Sequence, residues 1–206
     1  MEFDEFDYKY SLIMLGDSSV GKTTIATSFK TGSLMEKSTQ STVGIDFWTK
    51  VVNVNGVRIQ TLIYDTSGQE RFRSITKGYI KKGEGVLILY DITNKQSFKA
   101  VKLWINQIRE YGQEHACILV VGNKSDLKES RKVTYEEGES LAESYGVHFM
   151  ETSSKDMESI DQAFEVVIKQ VYFTGKEREK NSKVTNRGSK TLRHEETKSK
   201  SDCICK

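Results

Sequence analysis

The run Gly16-Asp17-Ser18-Ser19-Val20-Gly21-Lys22-Thr23 sets two glycines, a lysine and a hydroxyl at the spacing of a phosphate-binding loop. An apolar run, Leu12 to Leu15, precedes it, and a stretch that reads as a helix follows. That context matters chemically. A loop that opens a helix can turn consecutive backbone N–H groups toward an anion, and the helix N-terminus adds its partial positive charge. In such a loop Gly21 permits close approach, Lys22 bridges the β- and γ-phosphates, and the Thr23 hydroxyl is a Mg²⁺ ligand. Ser18, Ser19, Val20 and Thr24 complete the candidate nucleotide-binding stretch. A glycine-rich turn alone is often only a turn; the strand before it and the helix after it favour the phosphate reading.

Two further segments stand where groups are needed around a terminal phosphate: Thr42-Val43-Gly44-Ile45-Asp46-Phe47 and Asp65-Thr66-Ser67-Gly68-Gln69-Glu70. With Gln69-Glu70-Arg71-Phe72-Arg73-Ser74-Ile75-Thr76 and Leu89-Tyr90-Asp91-Ile92-Thr93, the chain resembles a Ras-superfamily GTPase, and specifically a Rab, from about Tyr8 to Phe173. The resemblance implies GTP and GDP as ligands, Mg²⁺ as cofactor, and slow GTP hydrolysis. It implies that Thr42 closes over Mg²⁺ and the γ-phosphate, that Asp65 holds Mg²⁺ through water, that the Gly68 amide bonds the γ-phosphate, and that Gln69 orients the attacking water. Positioning and charge stabilisation do nearly all the work in phosphoryl transfer, so these roles suit the chemistry. Taken singly, Thr42 could be a strand-edge threonine and Gln69 a solvated loop side chain.

Gly122-Asn123-Lys124-Ser125-Asp126 is similar to the family's guanine-reading motif. A carboxylate at Asp126 can accept from the N1–H and 2-amino group of guanine, a donor pair that adenine lacks. The resemblance makes Asn123 a buttress of the loop and lays the aliphatic stem of Lys124 along the base. Glu151-Thr152-Ser153-Ser154-Lys155 supplies the second base loop, with the Ser154 amide toward the guanine oxygen and Lys155 over the other face of the base. These two segments separate a GTPase from a P-loop ATPase or small-molecule kinase.

The chain departs from its relatives in places. Between Phe29 and Phe47 there is no aromatic residue where the family carries one against the guanine; Leu34, Met35 and Ser38 occupy the corresponding stretch, which is one residue longer than usual. Weaker purchase on the base and faster nucleotide release are expected. Tyr64 replaces the common Trp of an aromatic triad with Phe47 and Tyr79, and Ser67 replaces an alanine, a change either silent or felt in hydrolysis. No arginine is placed to reach the γ-phosphate in cis; Arg71 and Arg73 belong to the second switch segment, where exchange factors or effectors bind.

The elements that must position these residues follow from hydrophobic patterning. Leu12 to Leu15, Val86 to Tyr90 and Cys117 to Val121 are nearly continuous apolar runs, as strands buried on both faces should be. Phe98, Val101, Ile105 and Ile108, and then Ile160, Phe164, Val167 and Val171, recur at helical spacing. Asn55-Gly56 between Val51–Val54 and Val57–Tyr64 signals a hairpin. The expected fold is α/β, a single P-loop GTPase domain over 1–177, with a six-stranded, mostly parallel sheet, one antiparallel edge strand and helices on both faces. Ligands of such sheets bind beyond the carboxyl ends of the strands, where every motif above lies.

The segment 178–206 reads as a disordered, hypervariable tail, since Val184, Leu192 and Ile204 are too few large aliphatics to offset the ordering entropy. From Thr174 onward ten Lys or Arg face five Asp or Glu, which leaves the rest of the chain slightly acidic. A basic tail on an acidic body suits an anionic membrane surface rather than nucleic acid. Cys203 and Cys205, near the end, resemble the Rab Cys-X-Cys site of double prenylation; two lipids give stable anchoring where one is marginal. Read instead as a four-residue prenyl box, Cys203 to Lys206 would carry one lipid and has a poor final residue. No apolar run approaches the roughly 20 residues of a membrane span, the start lacks a signal-peptide pattern, and three cysteines build no disulfide framework. His115, His148 and His194 show no metal or catalytic spacing. The whole implies a cytoplasmic switch in vesicle traffic that cycles onto the cytosolic face of endomembranes or the plasma membrane. Its partners would be an exchange factor, an activating protein, effectors and a dissociation inhibitor or escort protein. A nucleotide-binding scaffold with little hydrolysis, governed by exchange, is the alternative, and GTP turnover with and without an activating protein separates the two.

Overall fold

The computed structural model describes residues 5–35, 45–66 and 73–195, without the side chains of 45, 73–76 and 182–195. Along the chain run β1 (Tyr8–Leu15), α1 (Lys22–Thr31), β2 (Ile45–Val54), β3 (Val57–Thr66), α2 (Arg73–Ile80), β4 (Gly85–Asp91) and α3 (Lys95–Tyr111). They are followed by β5 (Cys117–Asn123), a short 3-10 turn (Lys128–Ser130), α4 (Tyr135–Ser144), β6 (His148–Glu151) and α5 (Met157–Glu195). The six strands form one sheet in the order β2-β3-β1-β4-β5-β6. Only β2 and β3 pair antiparallel, through the hairpin at Asn55-Gly56, where both residues have positive φ. All other pairs are parallel. The architecture is the one the apolar runs and the hairpin signal imply.

Alternation along the strands divides the core. Ile13 and Leu15 of β1, Val86, Ile88 and Tyr90 of β4, and Ile118 and Val120 of β5 pack with Val101, Trp104, Ile105 and Ile108 of α3 and Leu141 and Ala142 of α4. On the opposite face Leu12 lies close to Val167 over Gly85, and Phe29 of α1 stacks on Phe164 of α5 at 3.9 Å between ring centroids. Fully burying one such side chain stabilises the fold by about 1.5–3 kcal/mol, so these two layers dominate the energetics. Cys117, expected inside a core strand, is the first residue of β5 and half-buried; the fully covered run starts at Ile118.

The chain divides into two compact units, Met1–Val171 and Tyr172–Lys206. In the second, α5 continues to Glu195, through residues that the sequence pattern assigns to a disordered tail. Lys, Arg and Glu are good helix formers. Tyr172 and Phe173 pack ring to ring at 5.4 Å, and Lys176 pairs with Glu179. Local propensity therefore accounts for the helix, without the apolar stripe that a packed helix shows. Cys203 and Cys205 lie outside the described residues.

Candidate functional site

The chain order reverses direction across the sheet at β1: its neighbours are β3 on one side and β4 on the other. A crevice beyond the carboxyl ends of the strands is expected at such a point. The loop 16–21 between β1 and α1 lies there. Gly16, Ser19 and Gly21 all have positive φ, at 137°, 64° and 100°. A Cβ at Gly21 would stand 2.2 Å from Asn123 Nδ2, so the backbone here lies close against the base loop. Val20 is buried beneath the turn, whereas Ser18 and Ser19 are exposed.

Lys22, the first residue of α1, is buried, and its Nζ donates to the carbonyl oxygens of Gly16 at 2.8 Å and Asp17 at 2.7 Å. The ammonium thus sits across the mouth of the loop. Burial pushes its pKa down to about 8, against the opposing pull of Asp65 and Asp17. At the next residue, Thr23 Oγ1 donates to Asp65 Oδ2 at 2.6 Å, while Thr24 is half-buried on α1. Asp65, near the end of β3, is buried, and its Oδ1 has no hydrogen-bond partner among the described residues. Burial raises the Asp65 carboxyl above its ordinary range, more than the Thr23 hydroxyl and Lys22 lower it. A buried carboxylate oxygen with no partner, beside a hydroxyl, is a hard-oxygen donor set that fits a divalent cation such as Mg²⁺.

Beside the phosphate loop, Asn123 is fully buried at the end of β5. Its Nδ2 donates to Val20 O at 2.7 Å, and its Oδ1 accepts from Thr152 Oγ1 at 3.3 Å. Lys124, at a left-handed φ of 69°, donates to Ser19 O at 3.0 Å and pairs with Asp91 at 2.5 Å. The Asp126 carboxylate accepts from Ser153 Oγ and Lys155 Nζ, both at 2.7 Å. Burial pushes the Asp126 carboxyl up, but the hydrogen bonds from Lys155 and Ser153 outweigh it and hold the group below the usual carboxylate range. Ser125 N donates to Thr152 O, and Lys155 N to Ser153 Oγ, so 122–126 and 151–155 form one tied unit. Ser154 is half-buried within it.

The candidate residues of the phosphate loop, Asp65, and both base loops are therefore brought together. Thr42, Gly68 and Gln69 lie outside the described residues, as do Ser38, Ser67 and Arg71. Leu34 and Met35 are exposed, and Met35 N is held by the buried Ser28 Oγ. Phe47, Tyr64 and Tyr79 do form a contiguous aromatic row, with centroids 6.3 Å and 5.1 Å apart and Phe47 64% exposed. One participant was missed from the sequence: Asp91, which holds Lys124. A carboxylate at the end of an apolar run was the available signal, but its partner depends on the register that sets Asp91 opposite Asn123.

The Ras family model matches residues 11–173. The Ras-related protein Rab-37 of Homo sapiens is 44% identical over 168 residues, 82% of this chain and 75% of that protein. Rab-26 of Rattus norvegicus is 44% identical over 168 residues, covering 82% and 65% of the two chains. The Ras-related protein RIC1 of Oryza sativa subsp. japonica is 44% identical over 160 residues, 78% and 79%.

Proposed function

The chain belongs to the Ras family as a Rab-type small GTPase, and from that premise we propose that it is a GTP/GDP switch acting in vesicle traffic. The observation that carries the proposal is the double tie between the phosphate loop and the base loop, Asn123 to Val20 and Lys124 to Ser19. It joins the phosphate loop and the base loop into one site, an arrangement that a nucleotide needs and a phosphate alone does not.

In this reading Ser18 to Thr24 cradle the phosphates, and Lys22 turns from the carbonyl oxygens of its own loop to the β- and γ-oxygens. Asp126 reads the guanine, while Lys124 and Lys155 flank the base. Thr23, Thr42 and Asp65 would hold Mg²⁺, which supplies charge neutralisation at the phosphates. Gln69 orients the water, and Gly68 and Thr42 hold the two switch segments on the γ-phosphate, so that its loss releases them. With no arginine in cis, turnover is slow, on the order of 10⁻⁴ to 10⁻² per second, until an activating protein supplies one.

The row Phe47–Tyr64–Tyr79 offers effectors and regulators an apolar surface. Exchange factor, activating protein and dissociation inhibitor or escort protein complete the partner set. The G domain spans 1–177, and the basic tail 178–206, prenylated at Cys203 and Cys205, holds the protein on the cytosolic face of a membrane. No helix among the described residues is long and apolar enough to cross one.

GTP turnover by the full chain, with and without a Rab-directed activating protein, tests the proposal. Slow turnover that the activator accelerates supports it. Nucleotide binding without turnover in either condition would replace it with the exchange-governed scaffold.

A further inference from the structure

Asp91 is the last residue of β4 and is buried. Its carboxylate is locked by its own turn, with Oδ1 accepting from Thr93 N at 2.8 Å and Thr93 Oγ1 at 2.7 Å. Its backbone is locked as well. Asp91 N donates to Ser97 Oγ, its carbonyl oxygen accepts from Asn94 N, and Asn94 caps α3 by accepting from Gln96 N and Ser97 N. A carboxylate held this rigidly presents Oδ2 at a fixed point, and there it meets Lys124 Nζ at 2.5 Å. The same ammonium donates to Ser19 O of the phosphate loop.

Lys124 needs such an anchor. Its left-handed φ is unfavourable for a side-chain-bearing residue, and an unanchored lysine samples many rotamers. Both are tolerated only where the surroundings fix the residue. The Asp91 side chain is 10% exposed and that of Lys124 29%, so the pair is shielded enough for its geometry to persist in salt. Nor does Asp91 face a second cation in the described contacts. Burial pushes its carboxyl up, but Lys124 and Thr93 hold it below the usual range, which keeps the pair charged at neutral pH.

We propose that Asp91 is a positioning residue for nucleotide binding: through Lys124 it holds the base loop and the phosphate loop at one fixed separation, and so slows nucleotide release. The inference rests on the guanine-nucleotide reading of this site. Asp91 touches no ligand in it. It holds the stem of Lys124 extended as a rail for the base while the ammonium clamps the Ser19 carbonyl, so release requires a coupled opening of both loops.

The test is displacement of labelled GDP from the full chain in excess Mg²⁺ and unlabelled GDP. Asp91→Asn keeps the shape and, with its oxygen on Thr93, the Thr93 bonds, but it removes the charge and turns the amide NH₂, a donor, toward the Lys124 ammonium, so the anchor is lost. Release is expected to quicken about ten-fold, a step of 1.4 kcal/mol. Thr93→Val, which leaves the lysine contact, changes it by less than about three-fold. Asp91→Ser serves if the Asn variant does not fold, with the same expectation. The decisive readout is the cycle with Lys124→Gln. If Asp91 acts through Lys124, adding Asp91→Asn to Lys124→Gln accelerates release no further, whereas a general structural role gives additive effects and overturns the proposal. Wild-type release from Asp91→Asn overturns it too. A wild-type chain that takes up no GDP would instead refute the underlying reading.

Discussion

Replacing Gly21 by alanine strikes the contact on which the site is built. The added Cβ would lie 2.2 Å from Asn123 Nδ2, and the backbone there has a φ of 100°. The conformational strain is worth about 1–3 kcal/mol. Displacing Asn123 also breaks its 2.7 Å bond to Val20 O, leaving buried polar groups unpaired at a cost of about 1–3 kcal/mol. If half of the combined cost, about 1–3 kcal/mol, is relieved when nucleotide leaves, release quickens by about five-fold to a hundred-fold, since 1.4 kcal/mol is a factor of ten. The remainder appears as lost stability, and each kcal/mol lowers Tm by about 2–4 °C in a domain of this size. The assay is release of labelled GDP together with thermal melting of the loaded protein. Gly56→Ala is the control: its φ is 84°, but a Cβ there meets nothing within 4 Å and lies in the hairpin. It lowers Tm without altering release. Gly21→Ala matching the control in both measurements would refute the steric argument.

Leu34→Phe, which puts an aromatic residue in the stretch where the family carries one, is expected to slow GDP release; unchanged or faster release removes the account of Leu34 as a weak contact. Tyr90→Phe is neutral or stabilising by about 1 kcal/mol in denaturant melts, because the buried Tyr90 hydroxyl has no hydrogen-bond partner among the described residues. Gly138→Ala destabilises by about 1–3 kcal/mol, since its Cβ would stand 2.5 Å from Phe149 Cζ and 2.6 Å from that hydroxyl, and Tyr90→Phe partly rescues it. Intact mass from a eukaryotic host shows two prenyl increments, both lost in the Cys203→Ser, Cys205→Ser double variant; an unmodified mass removes the anchor.

Much of this site is legible in the sequence because its motifs are local. The phosphate loop is one contiguous run, and Asn55-Gly56 fixes its own turn. The strands β1, β4 and β5 are covered on both faces and so read as short apolar runs. What is not legible depends on distance in the chain. The Asp91–Lys124 pair, the Asn123–Val20 bond and the seating of Asp126 between Ser153 and Lys155 each join residues that only the strand order brings together. β6 is four residues long and only partly covered, so it carries little pattern. The length of α5 escapes for another reason: beyond Val171 its propensity is helical while its apolar periodicity has ended.

Equilibrium binding of GDP and ADP to the full chain in Mg²⁺ tests the central claim, that Asp126 and its tied loops make this a guanine-nucleotide site. Asp126 is exposed in this structure; covered by the bound base and left without its donor pair, its carboxylate should reject adenine by about 10⁴-fold or more. The account predicts that separation; ADP binding within ten-fold of GDP would contradict it.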